Sequence, residues 1–252
     1  MTRRRFYAPP SAFSSSLDGV TLASHEARHL REVLRLKTGE EVYVFDGAGK
    51  EFRCRVEDSR RDRAGLQVLA EVAPARPESP LLLTLAVALL KGEKFDLVVQ
   101  KATELGVIKI VPVKTTNADI HLHDQSDAVK RVTRWQRIAL EAAKQSGRAL
   151  VPEVTSPINF ASLIETASAA GNGVMFSERD GRSLFKARER LPANLSSLTA
   201  LVGPEGGWTD EELATAREAG WKIVTLGGRT LRAETAAITA VALLQHLFGD
   251  LA

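Results

Sequence analysis

Apolar residues recur with two different periods along this chain of 252 residues. In the first part, residues 42–46, 51–56 and 66–72 alternate apolar and polar positions, which predicts short antiparallel strands with one buried face. Ahead of them, residues 24–36 repeat apolar side chains at helical spacing behind a serine N-cap. One short helix with several strands indicates a small β-barrel, a pattern that suits a nucleic-acid-binding module among other functions.

A proline-rich stretch at residues 73–80 has the composition of a stiff linker, and the period changes after it. Residues 82–89 form a continuous apolar run, which is typical of a strand buried on both faces. Strands then alternate with helical patterns, which predicts a parallel sheet with crossover helices. We therefore predict an N-terminal domain at residues 1–72, the linker, and an α/β domain at residues 81–252. Within the α/β domain, helices are predicted at residues 95–105, 128–146, 160–169, 210–219 and 234–248, and further strands at residues 108–113, 173–176, 198–202 and 222–226.

Composition limits the class of protein. The chain is 44% hydrophobic and 26% charged, as is ordinary for a soluble globular protein. Its longest nearly apolar run, residues 81–90, is about half as long as a membrane-spanning helix. The basic N-terminus leads into prolines and serines instead of an apolar signal sequence. The single cysteine, Cys54, excludes an internal disulfide and is predicted to be buried on a strand. Together these features predict a cytoplasmic protein.

Positive charge is concentrated in one segment. The net charge is only +3, but residues 128–148 hold six cations and a single carboxylate, Glu141. At helical spacing, most of the cations share one face and apolar residues share the other. Such a face is either simply solvated or a surface for a polyanion, and the near absence of interspersed carboxylates favours nucleic acid. The cations are Lys130, Arg131, Arg134, Arg137, Lys144 and Arg148.

A first glycine-bearing turn, residues 203–207, follows a predicted strand and leads into a helix that Thr209 and Glu212 begin as a capping box. Its three glycines would let backbone approach a ligand without obstruction by Cβ. A plain strand-to-helix connection is the alternative, although three glycines and a proline within five residues are more than a turn requires. Neither the dinucleotide fingerprint nor the phosphate loop matches this spacing.

A second turn, residues 226–235, places Arg229, Arg232 and Glu234 beside two glycines at the start of an apolar helix. The helix dipole does not favour cations at that end, so the arginines are predicted to serve a ligand. The alternative is an ion pair between Arg232 and Glu234 that only holds the loop. The helix is apolar nearly all round and is predicted to be buried in this subunit or against a second one.

The two turns resemble the C-terminal signature of the SPOUT methyltransferases. The matching sequences are GPEGGWTDEEL at residues 203–213 and LGGRTLRAETAA at residues 226–237. Over nearly its whole length the chain is similar to the RsmE family, which methylates N3 of a uridine in the 16S ribosomal RNA of the small subunit. Further matching segments are RRFY at 4–7, HLREVLRLKTGEEV at 29–42, KGEKFDLVVQKATELGV at 91–107 and RWQRIALEAAKQSGR at 134–148.

The resemblance implies a PUA-like β-barrel that binds RNA and a C-terminal domain with a deep trefoil knot that binds S-adenosylmethionine. It also implies a homodimer assembled through the C-terminal domain. Gly228 departs from many relatives, which have proline there, and we expect no change of function from it. Carried over by position, the cofactor pocket consists of Leu201, Val202, Gly203, Glu205, Gly206, Leu226, Gly227, Leu231, Arg232 and Thr235.

Methylation at N3 of uridine removes a proton and places negative charge on the ring oxygens, which an arginine would stabilise. We predict that Arg232 orients the uracil or stabilises this charge, and that Glu234 positions the arginine. The general base stays open among Glu93, Asp96, Glu104, Glu178 and Glu205. RNA docking is predicted at Arg3, Arg4, Arg5, Phe6, Tyr7, Arg28, Arg31 and Arg35, and in the catalytic domain at Arg134, Arg137 and Arg148.

Two other functions compete with this one. A SPOUT methyltransferase could act on transfer RNA or on a ribose 2′-hydroxyl, and a ribosome-assembly protein could bind RNA without performing chemistry. The N-terminal barrel argues against the first alternative, and the two glycine turns argue against the second. No metal is predicted, because the pair His121 and His123 lacks the further ligands of a metal site. We expect these two histidines to lie in a solvated loop.

Overall fold

A computed structural model describes residues 3–118, 120, 124–168, 172–189, 191–192 and 194–251, so His121 and His123 lie outside the described residues. The chain forms two compact units, Met1–Glu78 with Leu140–Val151 and Ser79–Ala139 with Pro152–Ala252. The second segment joins the first unit because Arg5 Nη2 donates to the carbonyl oxygen of Arg148 (2.9 Å) and Lys144 Nζ contacts Glu26 Oε1 (2.7 Å). The domain boundaries predicted from the sequence remain a prediction.

A five-stranded sheet forms the first unit. Its strands are arranged β1-β3-β4-β5-β2, and all neighbours pair antiparallel except β1 and β3. The three strands predicted from alternation are confirmed, whereas β1 and β2 are too short to show a pattern. The elements are β1 (Arg5–Tyr7), β2 (Gly19–Leu22), α1 (Ser24–Arg28), β3 (Glu41–Phe45), β4 (Glu51–Ser59) and β5 (Ala64–Val72).

The helix predicted at residues 24–36 is shorter and changes its winding. After α1 the chain continues as a π-helical turn, His29–Val33, and Ala23 instead of Ser24 is the N-cap. Leu30 is buried, but Val33 is 67% exposed. A π-helical turn holds more residues than an α-helical turn, so it moves Val33 away from the face that regular spacing predicts.

Glu51 is a fully buried carboxylate at the start of β4. It accepts hydrogen bonds from Arg3 Nη1 (3.0 Å), Arg5 Nη2 (3.1 Å) and the backbone nitrogen of Ala75 (2.9 Å). Cys54 is buried on the same strand, as predicted, and burial raises the pKa of its thiol to about 12. The buried carboxylate of Glu51 therefore binds both of these N-terminal arginines and the backbone of the proline-rich segment.

Glu51→Ala is expected to lower the free energy of unfolding by about 3–5 kcal/mol, because Arg5 would remain buried without its counter-charge. Glu71→Ala is the matched control, since it removes an exposed carboxylate that pairs with Lys50 and should cost no more than about 1 kcal/mol. Urea denaturation followed by circular dichroism measures both variants. Equal losses of stability would contradict the role assigned to Glu51.

An all-parallel sheet forms the second unit. The strands follow the order β11-β13-β10-β12-β6-β7-β8, with β9 also paired to β7. Every pairing is parallel, as the strand–helix alternation predicts. The elements are β6 (Leu82–Ala88), α2 (Lys94–Glu104), β7 (Lys109–Lys114), α3 (Gln125–Ser146), β8 (Glu153–Val154), β9 (Ile158–Asn159), α4 (Phe160–Ser168), β10 (Gly173–Phe176), β11 (Arg182–Ser183), α5 (Leu184–Arg188), β12 (Ser197–Val202), α6 (Asp210–Glu218), β13 (Lys222–Thr225) and α7 (Ala233–Phe248). The end of α3, from Leu140 onward, belongs to the first unit.

The strands and helices predicted for this unit are confirmed, with ends that differ by at most three residues; residue 169, the predicted end of α4, lies outside the described residues. The short elements β8, β9, β11 and α5 were not predicted, because two to five residues hold no recognisable period. Helix α7 packs against α2 and β12 and buries Ala237, Ala240 and Leu244. Within the described ranges, none of the helices has the length and apolar character needed to cross a membrane.

Candidate active site

Three neighbouring strands end around one cavity of about 380 Å³. In the parallel register, Phe176 at the end of β10 lies opposite Val202 of β12 on one side and Val224 of β13 on the other. The loops that leave these three strand ends supply the walls, together with the start of α7. Open α/β sheets bind ligands at this carboxyl edge. The lining residues are Phe176, Ser177, Glu178, Val202, Gly203, Pro204, Glu205, Gly206, Gly207, Trp208, Thr225, Leu226, Gly227, Arg229, Thr230, Leu231, Arg232, Ala233 and Ala236.

Trp208 fixes the first glycine turn against the end of β10. Its indole Nε1 donates to the carbonyl oxygen of Phe176 (2.8 Å), and the side chain is buried. The ring lies so close to Gly203 that a Cβ there would stand 2.8 Å from the nearest indole atom. Gly203 is therefore required by a close approach of side chain to backbone.

Two further contacts hold the same turn. Asn117 Nδ2 donates to the carbonyl oxygens of Gly206 (3.3 Å) and Gly207 (3.2 Å), and a Cβ on Gly206 would lie 2.9 Å from Asn117 Cβ. The predicted capping box is confirmed, because Thr209 and Glu212 exchange side-chain and backbone hydrogen bonds at the start of α6. The turn is more tightly fixed than a plain strand-to-helix connection needs to be.

Gly203→Ala is expected to lower the free energy of unfolding by about 1–3 kcal/mol, because the new methyl group would displace Trp208. Gly228→Ala is the control, since a Cβ at Gly228 meets nothing within 4 Å, and its effect should stay within about 0.5 kcal/mol. Chemical denaturation followed by tryptophan fluorescence measures both. Equal stability of the two variants would refute the close packing at Gly203.

Four charged groups surround the junction of the two glycine turns. Lys94 Nζ, at the start of α2, donates to Glu205 Oε1 in the first turn (2.9 Å). This hydrogen bond raises the pKa of Lys94; the charge of Glu234 adds to the shift and that of Arg232 opposes it. Lys94 therefore links the first turn electrostatically to the start of α7.

Arg232 is the N-cap of α7, is exposed and lines the cavity. Among the described residues, no ion pair joins it to Glu234, so the loop-holding pair considered from the sequence is not observed. We predicted that Glu234 positions Arg232, but in the part of the chain that the structure describes no hydrogen bond joins their side chains. Glu234 Oε2 is buried and lacks a hydrogen-bond partner among the described residues. Buried polar atoms usually have partners, so this oxygen fits a ligand or water.

Eight of the ten residues predicted for the cofactor pocket line the cavity. The two exceptions are Leu201, which is fully buried in the apolar core, and Thr235, which is exposed in the first turn of α7. Phe176 and Ser177, at the end of β10, were missed, and Glu178 was named only as a possible base and not as a pocket residue. In the sequence, these residues are marked only by lying at or just after the end of a predicted strand. They line the cavity because β10 lies between β12 and β13, and the sequence does not show this strand order.

The five carboxylates predicted as possible general bases differ in whether they line the cavity. Glu178 and Glu205 line the cavity. Asp96 instead accepts from Trp135 Nε1 (3.1 Å) and pairs with Arg134, and Glu104 pairs with Lys101 (2.8 Å). Glu93 is the N-cap residue of α2 and is not among the lining residues.

Several residues predicted to dock RNA are not available for it. Phe6 is fully buried in the first unit's core, so the prediction that it stacks on a base is wrong. Arg5 and Arg148 have side chains only 9% and 5% exposed, because each pairs with a carboxylate, Glu51 and Glu78. Arg3 also binds Glu51, with 31% of its side chain exposed.

The remaining predicted cations are accessible to different extents. Arg4 pairs with Glu40, and Arg28 and Arg31 pair with Glu32. Arg35, Arg134 and Arg137 are exposed, and Tyr7 is half-buried. On α3, Arg134 pairs with Asp96, and Lys144 pairs with the buried Glu26. The sparsity of carboxylates within the segment was therefore misleading, because other segments supply them.

No group of three or more His, Cys, Asp or Glu side chains is placed to hold a metal ion within the described ranges.

A parallel sheet with a glycine-walled cavity at its carboxyl edge defines a ligand-binding α/β domain, and comparison with known proteins identifies its class. Residues 77–245 match the model of an RNA methyltransferase domain, and residues 22–69 match an RNA methyltransferase PUA domain. The ribosomal RNA small subunit methyltransferase E of Synechocystis is 33% identical over 98% of this chain and 78% of its own length.

Solved structures agree with the sequence relatives. The ribosomal RNA small subunit methyltransferase E of Neisseria gonorrhoeae, bound to S-adenosyl methionine, is 35% identical with a TM-score of 0.84 over 100% of both chains. A putative methyltransferase of Legionella pneumophila, in complex with the same cofactor, is 30% identical with a TM-score of 0.86, again over 100% of both chains. The predicted class, an RNA methyltransferase with a PUA domain, is confirmed. The chain belongs to the ribosomal RNA small subunit methyltransferase E family.

Proposed function

We propose that this chain transfers a methyl group from S-adenosylmethionine to N3 of a uridine in the 16S RNA of the small ribosomal subunit. The single observation that carries the proposal is the cavity at the ends of β10, β12 and β13, walled by both glycine turns, in a member of this family. The cofactor and the RNA class are taken from the relatives, and the residue roles are inferred from the geometry.

The lining of the cavity fits S-adenosylmethionine. Apolar side chains of Phe176, Val202 and Leu231 suit an adenine ring, while exposed backbone at the glycine turns suits its polar edge and the ribose. Carboxylates of Glu178 and Glu205 supply negative charge for a cationic ligand. When bound, the cofactor supplies a methyl group activated by the sulfonium.

The protein's contribution is to align the reacting atoms and to exclude water, because an in-line methyl transfer needs little covalent assistance. Arg232 extends from the N-cap of α7 into the cavity wall, where its guanidinium would face the negative charge that develops on the uracil oxygens. Glu178 is the better candidate to receive the N3 proton, because it is less closely paired than Glu205. Glu205 accepts a hydrogen bond from Lys94 (2.9 Å), whereas Glu178 makes a long contact with Arg179 (3.9 Å).

Arg232→Ala is expected to lower kcat by about 10²–10³-fold, because one preorganised donor at the developing charge is lost. Affinity for S-adenosylmethionine, measured by calorimetry, should fall much less. Arg232→Lys retains the charge without the planar fork and should give an intermediate rate. Turnover of small subunits by Arg232→Ala at the wild-type rate would eliminate the catalytic assignment.

Mass mapping of modified nucleosides tests the function itself. Ribosomal RNA from cells lacking the protein should lose N3-methyluridine from the small subunit, and wild-type protein should restore it. Loss of a modified nucleoside from transfer RNA, or of a ribose 2′-O-methyl group, would instead support the other methyltransferase. An unchanged nucleoside profile would support the non-catalytic RNA-binding protein.

We also propose that the enzyme is a cytoplasmic homodimer that associates through its C-terminal domain. The support is that α2 and α7, which pack together, leave Leu97 and Leu243 40% and 37% exposed, a feature typical of a surface that meets another apolar surface. In the first unit, the accessible cations Arg4, Arg28 and Arg35 remain candidates for RNA contact.

A further inference from the structure

A second cavity lies beside β11 and β13, which form the edge of the parallel sheet. Its volume is about 350 Å³, and none of its lining residues lines the active-site cavity. We call it the cationic cavity, because three of its lining side chains are cations and one is a carboxylate. The lining residues are Asp180, Arg182, Ala187, Arg217, Gly220, Trp221, Lys222 and Ile223.

The one carboxylate in the cationic cavity does not neutralise these cations. Asp180 Oδ2 lies 3.7 Å from Nη1 of Arg179, a residue outside the lining. Arg217 Nη2 donates to the carbonyl oxygen of Asp180 (3.4 Å). In the part of the chain that the structure describes, Arg182 and Lys222 form no ion pair. Converging positive charges repel one another, and an anion between them would remove that repulsion.

An exposed aromatic side chain lies close in the sequence to two residues that line the cationic cavity. Phe185 lies in α5, between Arg182 and Ala187, and is 70% exposed. Lys186, its neighbour in the sequence, is exposed as well. A large aromatic ring beside unneutralised cations is the combination with which proteins bind single-stranded nucleic acid, because the ring stacks on a base while the cations contact phosphates.

The position of this surface connects it to the active-site cavity. Arg182 lies opposite Val224 in the register of β11 and β13. The backbone nitrogen of Gly181 donates to Thr225 Oγ1 (3.1 Å), and Thr225 lines the active-site cavity. A chain bound along β11 would therefore pass the loop that walls the cofactor site.

We infer that Arg182, Phe185, Lys186, Arg217 and Lys222 bind a single-stranded segment of the RNA substrate, with phosphate groups in the cationic cavity and a base on Phe185. The inference rests on the proposed function only in that the substrate is RNA. A small anion would account for the cavity but not for the exposed ring. The RNA segment accounts for both.

Fluorescence anisotropy with a labelled single-stranded RNA of mixed sequence tests the inference on the full-length protein. Arg182→Ala with Lys222→Ala should weaken binding at least about tenfold at low salt and reduce the slope of log affinity against log salt by roughly 1 to 1.5, because two phosphate contacts are lost. Phe185→Ala should weaken binding by about fivefold to a hundredfold without changing that slope, because stacking is not ionic.

Lys101→Ala with Lys109→Ala is the matched control. It also removes two cations from the second unit, but both form ion pairs with neighbouring carboxylates, and RNA affinity should stay at the wild-type value. Thermal melting and calorimetry with S-adenosylmethionine establish that each variant is folded. Wild-type affinity and salt slope in the Arg182/Lys222 variant, or equal losses in the control, would overturn the inference. Unchanged affinity in Phe185→Ala would overturn the stacking contact.

Methyl transfer to small subunits separates this inference from the proposed function. If both hold, the Arg182/Lys222 variant should raise KM for the subunit and leave kcat unchanged. If the wild-type protein binds the RNA through these residues but transfers no methyl group to small subunits, the proposed function fails and the RNA surface stands. An acidic protein that binds this surface in place of RNA would leave the oligonucleotide affinities of all variants equal and contradict the inference.

Discussion

The indole of Trp208 joins two neighbouring strand ends, and the shape of the candidate active site depends on it. Its Nε1 donates to Phe176, the last residue of β10, while its ring covers Gly203, the first residue after β12. Because the two strands are parallel and in register, this contact connects loops that leave the same edge of the sheet. The turn is fixed with its backbone toward the cavity, so a ligand meets preorganised peptide groups rather than mobile side chains.

The periodic elements of the fold could be predicted from the sequence, because long helices and buried strands carry their own pattern. The capping box at Thr209 and most of the two-turn pocket could be predicted as well, since glycines and polar residues are concentrated there. Phe176 and Ser177 could not be predicted as site residues, and Glu178 could be named only as one of five possible bases, not as part of the cavity wall. They are brought to the cavity by the placement of β10 between β12 and β13, and no local pattern in the sequence contains that order.

Charge was harder to interpret than hydrophobicity. The cationic segment at residues 128–148 was expected to be free for RNA because it contains one carboxylate, yet Lys144 and Arg148 pair with Glu26 and Glu78. An ion pair joins residues distant in sequence, so local composition cannot show whether a cation is neutralised. Arg182 and Lys222 show the opposite case. No local pattern distinguished them in the sequence, but the described residues supply no carboxylate partner for either.

The central claim is that the cavity between the two glycine turns holds the methyl donor. A crystal structure of the full chain with S-adenosylmethionine tests it most directly. We expect ligand density bounded by Gly203, Trp208 and Leu231, with the methyl group directed toward the side on which Arg232 lies. Density for the ligand at any other place on the protein would contradict the claim.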